Sequence, residues 1–528
     1  MDFNIADLLE LVADTVPDHA ALVCGDRRLT FAEFDERATR LAHVLAANGV
    51  GRGDHVALYL YNGTEYLEGM LAAFKLGAVP INVNYRYVEH ELEYLLADAD
   101  AVAIIHDDEF GGKVDAIRAA LPKVAFTLGL GAYEAALAAA PPTRDFGPRS
   151  GDDLYILYTG GTTGMPKGVM WRQEDVFFGA FGGGAGGVGA PISAPEEIAE
   201  RCLEPRTRCV PACPFMHGTA HWMAMSALLT GGTVVIPAEH HLDPGALWRL
   251  VATEEANFLV IVGDAFARPL LDALDGPGLD GVDLSSLRVV LSGGAILSPA
   301  VKRAFTDRLP GAMLVDGYGA SETGGQGQSV AVAGGEVGTA PRFRVGDDTM
   351  VLGDDLRPAA VGEVGRLARR GRVPVGYYKD PEKTAATFPV VDGVRWAVPG
   401  DHAVTEADGT ITLLGRGSVS INTGGEKVYP EEVEAVLKAH AAVFDAVVVG
   451  VPDPRWGERV TAVVQARPGA PRPGDDELQE HARTQVAGYK VPRGFVWVDA
   501  IVRAPSGKPD YRWAKATAID AGEGTVPA

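Results

Sequence analysis

Cysteine is scarce in this chain, with four residues among 528, too few for a disulfide framework in a protein of this length. Basic residues are in the minority. Against 70 Asp and Glu stand 47 Lys and Arg, a net charge of −23, so no broad basic face is expected for nucleic acid or an anionic membrane surface. No apolar run approaches the roughly 20 residues of a membrane span. The N-terminus, "MDFNIADLLELVADTVPDHAAL", is acidic and amphipathic and lacks the basic stretch and apolar core of a secretory signal. A cytoplasmic protein with small-molecule partners is expected. In so acidic a chain, any anionic ligand must be met by a few local positive groups.

What is present is ample core: 47% of residues are hydrophobic and 22% charged, and the length suggests two to four domains. In "LTFAEFDERATRLAHVLAANGV", Phe34, Ala38, Leu41 and Leu45 share one helical face, and Asn48-Gly49 supplies a stop. Short apolar bursts then alternate with helical stretches: "HVALYLYN", "AVAIIHDD", "LYILYTGG", "GTVVIPAE", "FLVIVGD" and "LRVVLSGGA". The pattern predicts an α/β fold of doubly wound sheets, with functional groups at the carboxyl ends of strands. "AAPPTRDFGPRSG" (139–151) reads as a loop between subdomains, and the low-complexity segment Gly179 to Pro191 as a mobile surface loop. Beyond residue 416 the pattern changes, and Pro430 opens a helix with Glu431 and Glu432 beside its positive end. We therefore divide the chain into a large N-terminal domain, 1–416, and a small α+β domain, 417–528.

Cys209, Cys213, His217 and His221 recur every four residues. Pro211, Pro214 and Gly218 interrupt any regular helix there, and the spacing fits no familiar zinc pattern, so the group is not read as a metal site. "YTGGTTGMPKG" (158–168) is different. Its glycines let successive N–H groups converge on an anion, its threonines add donors and Lys167 adds a full charge, so phosphate is the natural guest. Gly168 follows the lysine where a P-loop NTPase requires Ser or Thr, so it is a phosphate loop of another kind.

That loop resembles the signature of the adenylate-forming superfamily of acyl-CoA synthetases, luciferases and peptide-synthetase adenylation domains, with Gly160 where a serine is usual. The superfamily's other motifs follow in order: "LAAFKLGAVPINVNYRY", "PFMHG", "LSGGA", "GYGASETG", "GYYKDPEKTAATF", "PGDHAVTEADGTITLLGR", "GGEKVYPEEVE" and "PSGKPDYRWAK". The resemblance spans about residue 30 to 515. It implies ATP, Mg²⁺ and coenzyme A as cofactors and a carboxylic acid as substrate. Thr159, Gly160, Gly161, Thr162, Thr163 and Lys167 would hold phosphates, with Glu322 and Thr163 at the Mg²⁺. Gly293, Gly294, Ala295 and Tyr318 would line the adenine, with Asp316, Gly319 and Ser321 in the same nucleotide-binding motifs. Asp401 would take the ribose hydroxyls, with Arg416 close by. Lys508 would stabilise the charge that develops as carboxylate meets α-phosphate, with Glu322 and His217 as the other catalytic residues. The small domain would rotate about Gly417-Ser418 between the two half-reactions, bringing Gly425, Glu426 and Lys427 to the pantetheine channel. Ser418 stands where Asp or Lys is usual, and Asn422 where many relatives have lysine.

Phe215 is followed by Met216 and His217, with no carboxylate to pair an amine, so an acid without an α-amino group is expected. "HWMAMSALL" fits an apolar pocket wall and equally an amphipathic core helix. The strings "VMWRQEDVFFG", "PFMHGTAHW", "INTGGEKV" and "RAPSGKPDYRWAK" resemble acyl-CoA synthetases for long-chain fatty acids and sterol side-chain acids. Transfer to a carrier protein, or activation of an aryl acid, are the alternatives. No carrier domain is read after residue 520, which favours free CoA, and a homodimer is the expected assembly.

Overall fold

The computed structural model describes residues 2–159, 165–185, 189–203, 207–295, 297–335, 337–338, 342–416, 419–423, 426–453, 456–503 and 507–523, with the side chains of 416, 427, 522 and 523 excepted. Two large sheets lie in the N-terminal part. In the seven-stranded sheet, Leu154–Thr159, Val79–Asn82, His55–Tyr59, Ala101–His106 and Phe126–Gly129 run parallel, and Lys167–Arg172 and Gly376–Tyr377 close one side antiparallel. The second sheet has a parallel run of Ala20–Cys24, Thr233–Ile236, Arg208–Pro211, Phe258–Ile261, Val289–Gly293 and Met313–Ala320. Antiparallel strands extend it from Gly324–Ala331 through Ile411–Arg416.

Strands buried on both faces explain the near-continuous apolar runs in the sequence. Val56 and Leu58 point into the main core while Ala57 and Tyr59 point into an outer one, and Tyr155 and Leu157 alternate with Ile156 and Tyr158 in the same way. The main core also takes Cys209, Val234 and Val260 from the second sheet, so it lies between the two sheets. The helix Phe31–Ala47 enters it with Phe34, Ala38, Leu41 and Leu45 buried, as its periodicity predicts; Thr30 and Glu33 form a reciprocal cap at its start.

The small domain follows the strand Ile411–Arg416. A five-stranded sheet built from Ile421–Thr423, Glu426–Val428, Val443–Asp453, Gly457–Ala466 and Gly494–Val498 packs against the helices Pro430–Lys438, Asp475–Arg483 and Tyr511–Glu523. Among the described residues no helix is long and apolar enough to cross a membrane.

Two loop expectations are corrected. Residues 140–153 join the helix Leu130–Ala139 to the strand Leu154–Thr159, and the strand before that helix, Phe126–Gly129, belongs to the same seven-stranded sheet, so no subdomain boundary falls there. Arg144 and Arg149 strap this segment to Asp14, Asp35, Asp7 and Glu10, a function its prolines and glycines conceal. In the glycine-rich stretch after Gly179, Phe181, Gly183, Gly184 and Ile192 are buried, and the Ile192 N–H donates to the Gly183 carbonyl at 2.9 Å. Its first half is packed because the small glycines admit Phe181 and Ile192 into the main core, while Gly182, Gly189, Ala190 and Pro191 are exposed.

Candidate active site

The phosphate-type loop closes a hairpin. Thr159 ends one strand and Lys167 begins its antiparallel partner, directly opposite in register. No helix N-terminus follows the loop, so its anion affinity must come from backbone N–H groups, hydroxyls and Lys167. Gly160, Gly161, Thr162 and Thr163 lie outside the described residues. Lys167 Nζ forms an ion pair with Asp380 Oδ2, and that hydrogen bond is the chief reason the Asp380 carboxyl sits below its usual range. Asp380 also caps the helix Pro381–Thr387. Sequence reasoning missed it, although the Asp-Pro helix start was a legible signal.

A cavity of about 940 Å³ opens at the same end of the strands. Thr159 borders it beside Met165 and Pro166. From other segments come His217, Gly293, Gly294, Tyr318, Gly319 and Ser321, and from the small domain Lys508. Residues far apart in sequence thus meet around one volume. Gly294 holds φ +86 with Thr219 against it, a backbone state that favours glycine and keeps a flat slot open.

The remaining expected residues surround this wall. Asp401 is buried and accepts a hydrogen bond from Tyr318 Oη at 2.6 Å. Glu322 accepts one from Tyr377 Oη at 2.8 Å through Oε1. Asp316 is not on the cavity wall: it is buried against Lys302 at 2.6 Å, and burial pushes its carboxyl up to about 6. Ala295 packs against the main core. Arg416 faces Asp401 in the strand ladder, though its side chain is outside the described set, as is that of Lys427. Glu426 is exposed on the small domain's first hairpin, and Gly425 is not among the described residues.

Part of the cavity lining is apolar. The helix Gly218–Leu229 puts Trp222 and Met223 on the cavity while Ala224, Met225, Leu228 and Leu229 enter the core. It is both pocket wall and core helix. Trp222 Nε1 donates to Tyr155 Oη at 2.9 Å, Tyr155 Oη meets His221 Nε2 at 2.5 Å, and His221 Nδ1 meets the Phe215 carbonyl at 2.6 Å. These contacts assign Tyr155 as donor to Nε2 and put the His221 proton on Nδ1. Burial lowers the His221 pKa to about 4, so the ring is neutral and the relay polarised in one direction.

Asn82 is a second residue the sequence did not single out. Its Nδ2 donates to the carbonyls of Tyr158 at 2.8 Å and Met216 at 2.7 Å, and its Oδ1 accepts from the Tyr158 N–H at 2.7 Å. This buried amide fixes the end of the phosphate strand relative to the segment carrying His217. His217 precedes that helix, and its Nε2 is enclosed with no hydrogen-bond partner among the described residues. Burial, then the charge of Lys508, pushes its pKa down to about 3. Lys508 lines the same cavity as His217. As a residue His217 is half-buried and borders the cavity.

Residues 9–378 match the family of AMP-binding enzymes, and residues 432–508 match the AMP-binding enzyme C-terminal domain. The chain belongs to the AMP-binding enzymes. This AMP-binding enzyme is 47% identical to a medium/long-chain-fatty-acid–CoA/3-oxocholest-4-en-26-oate–CoA ligase of Mycobacterium tuberculosis, over 97% of the chain and 95% of the relative. It is 48% identical to a 3-oxocholest-4-en-26-oate–CoA ligase of Rhodococcus rhodochrous, over 98% of the chain and 96% of that protein. Among solved structures it resembles ATP-bound MatB from Rhodopseudomonas palustris with a TM-score of 0.83 and 27% identity, covering 99% of this chain and 100% of the other.

Proposed function

We propose that this AMP-binding enzyme is an AMP-forming acid–thiol ligase that converts a medium- or long-chain fatty acid, or a steroid side-chain acid, into its CoA thioester. The observation that carries the reading is the meeting of Thr159, His217 and Lys508 around one cavity whose lining also includes Met216, Trp222 and Met223. A carboxylate cannot attack the α-phosphorus of a nucleotide without relief of anion–anion repulsion. Lys508 supplies a positive charge on the cavity wall. His217, held neutral, adds a face to the acid's path without competing for the carboxylate.

In the first half-reaction a carboxylate oxygen bonds to the α-phosphorus as the bond to the bridging β-oxygen breaks and pyrophosphate leaves. In the second, the CoA sulfur bonds to the acyl carbon, the carbon–oxygen bond to AMP breaks, and the thiol proton passes to solvent. Tyr318 and the slot at Gly293-Gly294 would receive adenine, and Asp401, braced by Tyr318, the ribose. Glu322 fits Mg²⁺ chemically: a carboxylate is a hard oxygen donor, and its Oε2 has no hydrogen-bond partner among the described residues. Bound Mg²⁺ would neutralise phosphate charge. The hinge at Gly417-Ser418 belongs to the proposal; the large sheet's last strand ends at Arg416 and the small sheet begins at Ile421.

The acid class rests on the wall chemistry and on the two relatives, whose names specify fatty and steroid acids. Among the described residues two carboxylates border the cavity, Glu91 and Asp510, and each accepts backbone N–H groups of its own segment through one oxygen. None of the four cysteines is in a disulfide, which suits a reducing cytoplasm. The test is mass spectrometry of products from Mg-ATP and a panel of fatty, steroid side-chain and aryl acids, with and without CoA. Acyl-AMP alone, converted to acyl-CoA when CoA is added, is the expected result. An adenylate that CoA does not consume would transfer the reading to a carrier-protein acceptor, and no adenylate from any acid would overturn it.

A further inference from the structure

Lys508 stands on a segment whose ends, Arg503 and Pro509, pair as an antiparallel bridge. Gly507, just before the lysine, holds φ +75 and packs on Val262 of the large domain. Its carbonyl accepts from Arg503 Nη1 at 2.8 Å. The rest of that guanidinium is committed to Asp445: Nε donates to Oδ2 at 2.8 Å and Nη2 to Oδ1 at 2.7 Å. Asp445 belongs to the rigid strand Val443–Asp453, and both side chains are largely buried. One planar group therefore links the strand to the peptide adjoining Lys508 in fixed directions.

The pair also stands in a cluster that crosses between domains. Asp264 and Arg268, 3.1 Å apart on a helix of the large domain, meet the small domain where Arg268 Nη2 donates to the Lys438 carbonyl at 3.4 Å. Burial works to raise the Asp264 carboxyl, but Lys438, Arg268 and the Ser298 amide hold it below its usual range. Asp264 and Glu434 in turn act on Arg503, and Glu434 is anchored by the Val448 N–H at 2.9 Å. Three positive side chains (Arg268, Lys438, Arg503) face three negative ones (Asp264, Glu434, Asp445), so the group is formally neutral and geometrically selective.

We infer that Arg503, held by Asp445, is the positioning residue for Lys508: its clamp on the Gly507 carbonyl sets where the ammonium enters the cavity. The inference rests on the ligase reading above and adds to it a residue that touches neither substrate nor phosphate in the role assigned here. A lysine at 503 cannot reproduce it, because one ammonium does not span two carboxylate oxygens and a carbonyl in a single plane. Displacing a charged group by about 1 Å costs on the order of 100-fold in rate. The loss should fall on the half-reaction that brings two anions together.

The experiment uses the full-length enzyme, the best acid from the panel and its synthetic acyl-AMP. Adenylation is followed by pyrophosphate release, and thioester formation by acyl-CoA from supplied acyl-AMP. R503M should lower the adenylation kcat by on the order of 100-fold, with the KM for ATP and the thioester half-reaction within about threefold. R503K should not restore it, and D445N should show a loss of about 10-fold. In a K508A background, R503M should cost little more, because both changes remove one effect. Circular dichroism confirms that each variant is folded; the isosteric D445N carries the test if R503M does not fold. Half-reactions that fall together, an R503M enzyme with unchanged adenylation, or additive losses with K508A overturn the inference. A wild-type chain that forms no acyl-AMP overturns the ligase reading itself, and this inference with it.

Discussion

Two buried ionic clusters in this enzyme are built from the same side chains and do different work. In the first, Lys75 is fully buried and reaches Glu10 at 2.6 Å and Asp35 at 2.7 Å, while Arg144 and Arg149 complete the pairing of those carboxylates. Every member belongs to the large domain, and together they bind three helices to the 140–153 segment. In the second, Asp264 and Arg268 of the large domain meet Lys438, Glu434, Arg503 and Asp445 of the small one. A complete buried pair adds little net stability over well-packed apolar groups, because desolvation offsets attraction. What such clusters fix is geometry. The first fixes a chain path inside one body; the second fixes where one domain meets another, and it ends beside Lys508.

The largest expected effect separates the two clusters by stability. Lys75→Met leaves Glu10 and Asp35 buried without their shared cation, and should cost about 3–5 kcal/mol of unfolding free energy, measured by urea denaturation. Adenylation per folded molecule should stay unchanged; if it collapses while stability holds, the comparison is broken. Next in size is Lys508→Ala. It should lower adenylation by ~10²–10³-fold without shifting the urea midpoint, and a shifted midpoint would make this lysine structural as well.

A third test uses a neutral network as the control for both ionic ones. His221 titrates near 4 in the native state because it is buried, against about 6.5 when unfolded. Between those values the unfolded chain binds more protons. Stability from this site is therefore complete above about pH 6.5 and falls as pH drops towards 4, by on the order of 2 kcal/mol at pH 5. Urea unfolding at pH 5 and pH 7 should show this loss, and His221→Gln should remove about half of the histidine contribution, because His217, pushed down to about 3, loses stability in the same direction; an equal slope in both proteins would assign the pH dependence to His217 and the carboxylate clusters instead. The smallest effect is expected at Arg483 and Glu480, both exposed at 3.3 Å on one helix. Arg483→Ala should leave the urea midpoint and adenylation unchanged, and a measurable shift would show that exposure is not what distinguishes this pair from the buried clusters.

Local pattern made much of this molecule legible. The helical face of Phe34, Ala38, Leu41 and Leu45 is buried as its spacing predicts, because a 3.6-residue period has one physical solution against a core. The glycine-rich loop lies at the end of the strand Leu154–Thr159, as its apolar run followed by glycine implies. Ordered motifs imply one site for Thr159, Gly293, Tyr318 and Lys508, and all four border one cavity. Partnerships were a different matter. Asp380 is 213 residues from Lys167, Asn82 is 134 from Met216, and Tyr155 is 66 from His221; nothing in a local window records such pairs. Asp316 reads as a nucleotide ligand from its motif, yet the strand's alternation turns it away from the cavity to Lys302. The prolines and glycines of 139–151 announce a break in secondary structure, and only the arginines between them reveal that the segment is tied down.

The sequence by itself determined the classes of element, their order and the chemistry carried at strand ends, because propensity, periodicity and motif spacing act over a few residues. Tertiary structure alone decided which charges are shared, which nitrogen of His221 holds its proton and how Arg503 is aimed at the peptide beside Lys508. Those outcomes depend on distances across the fold and on exclusion of water, and burial makes a hydrogen bond's geometry matter as much as its existence.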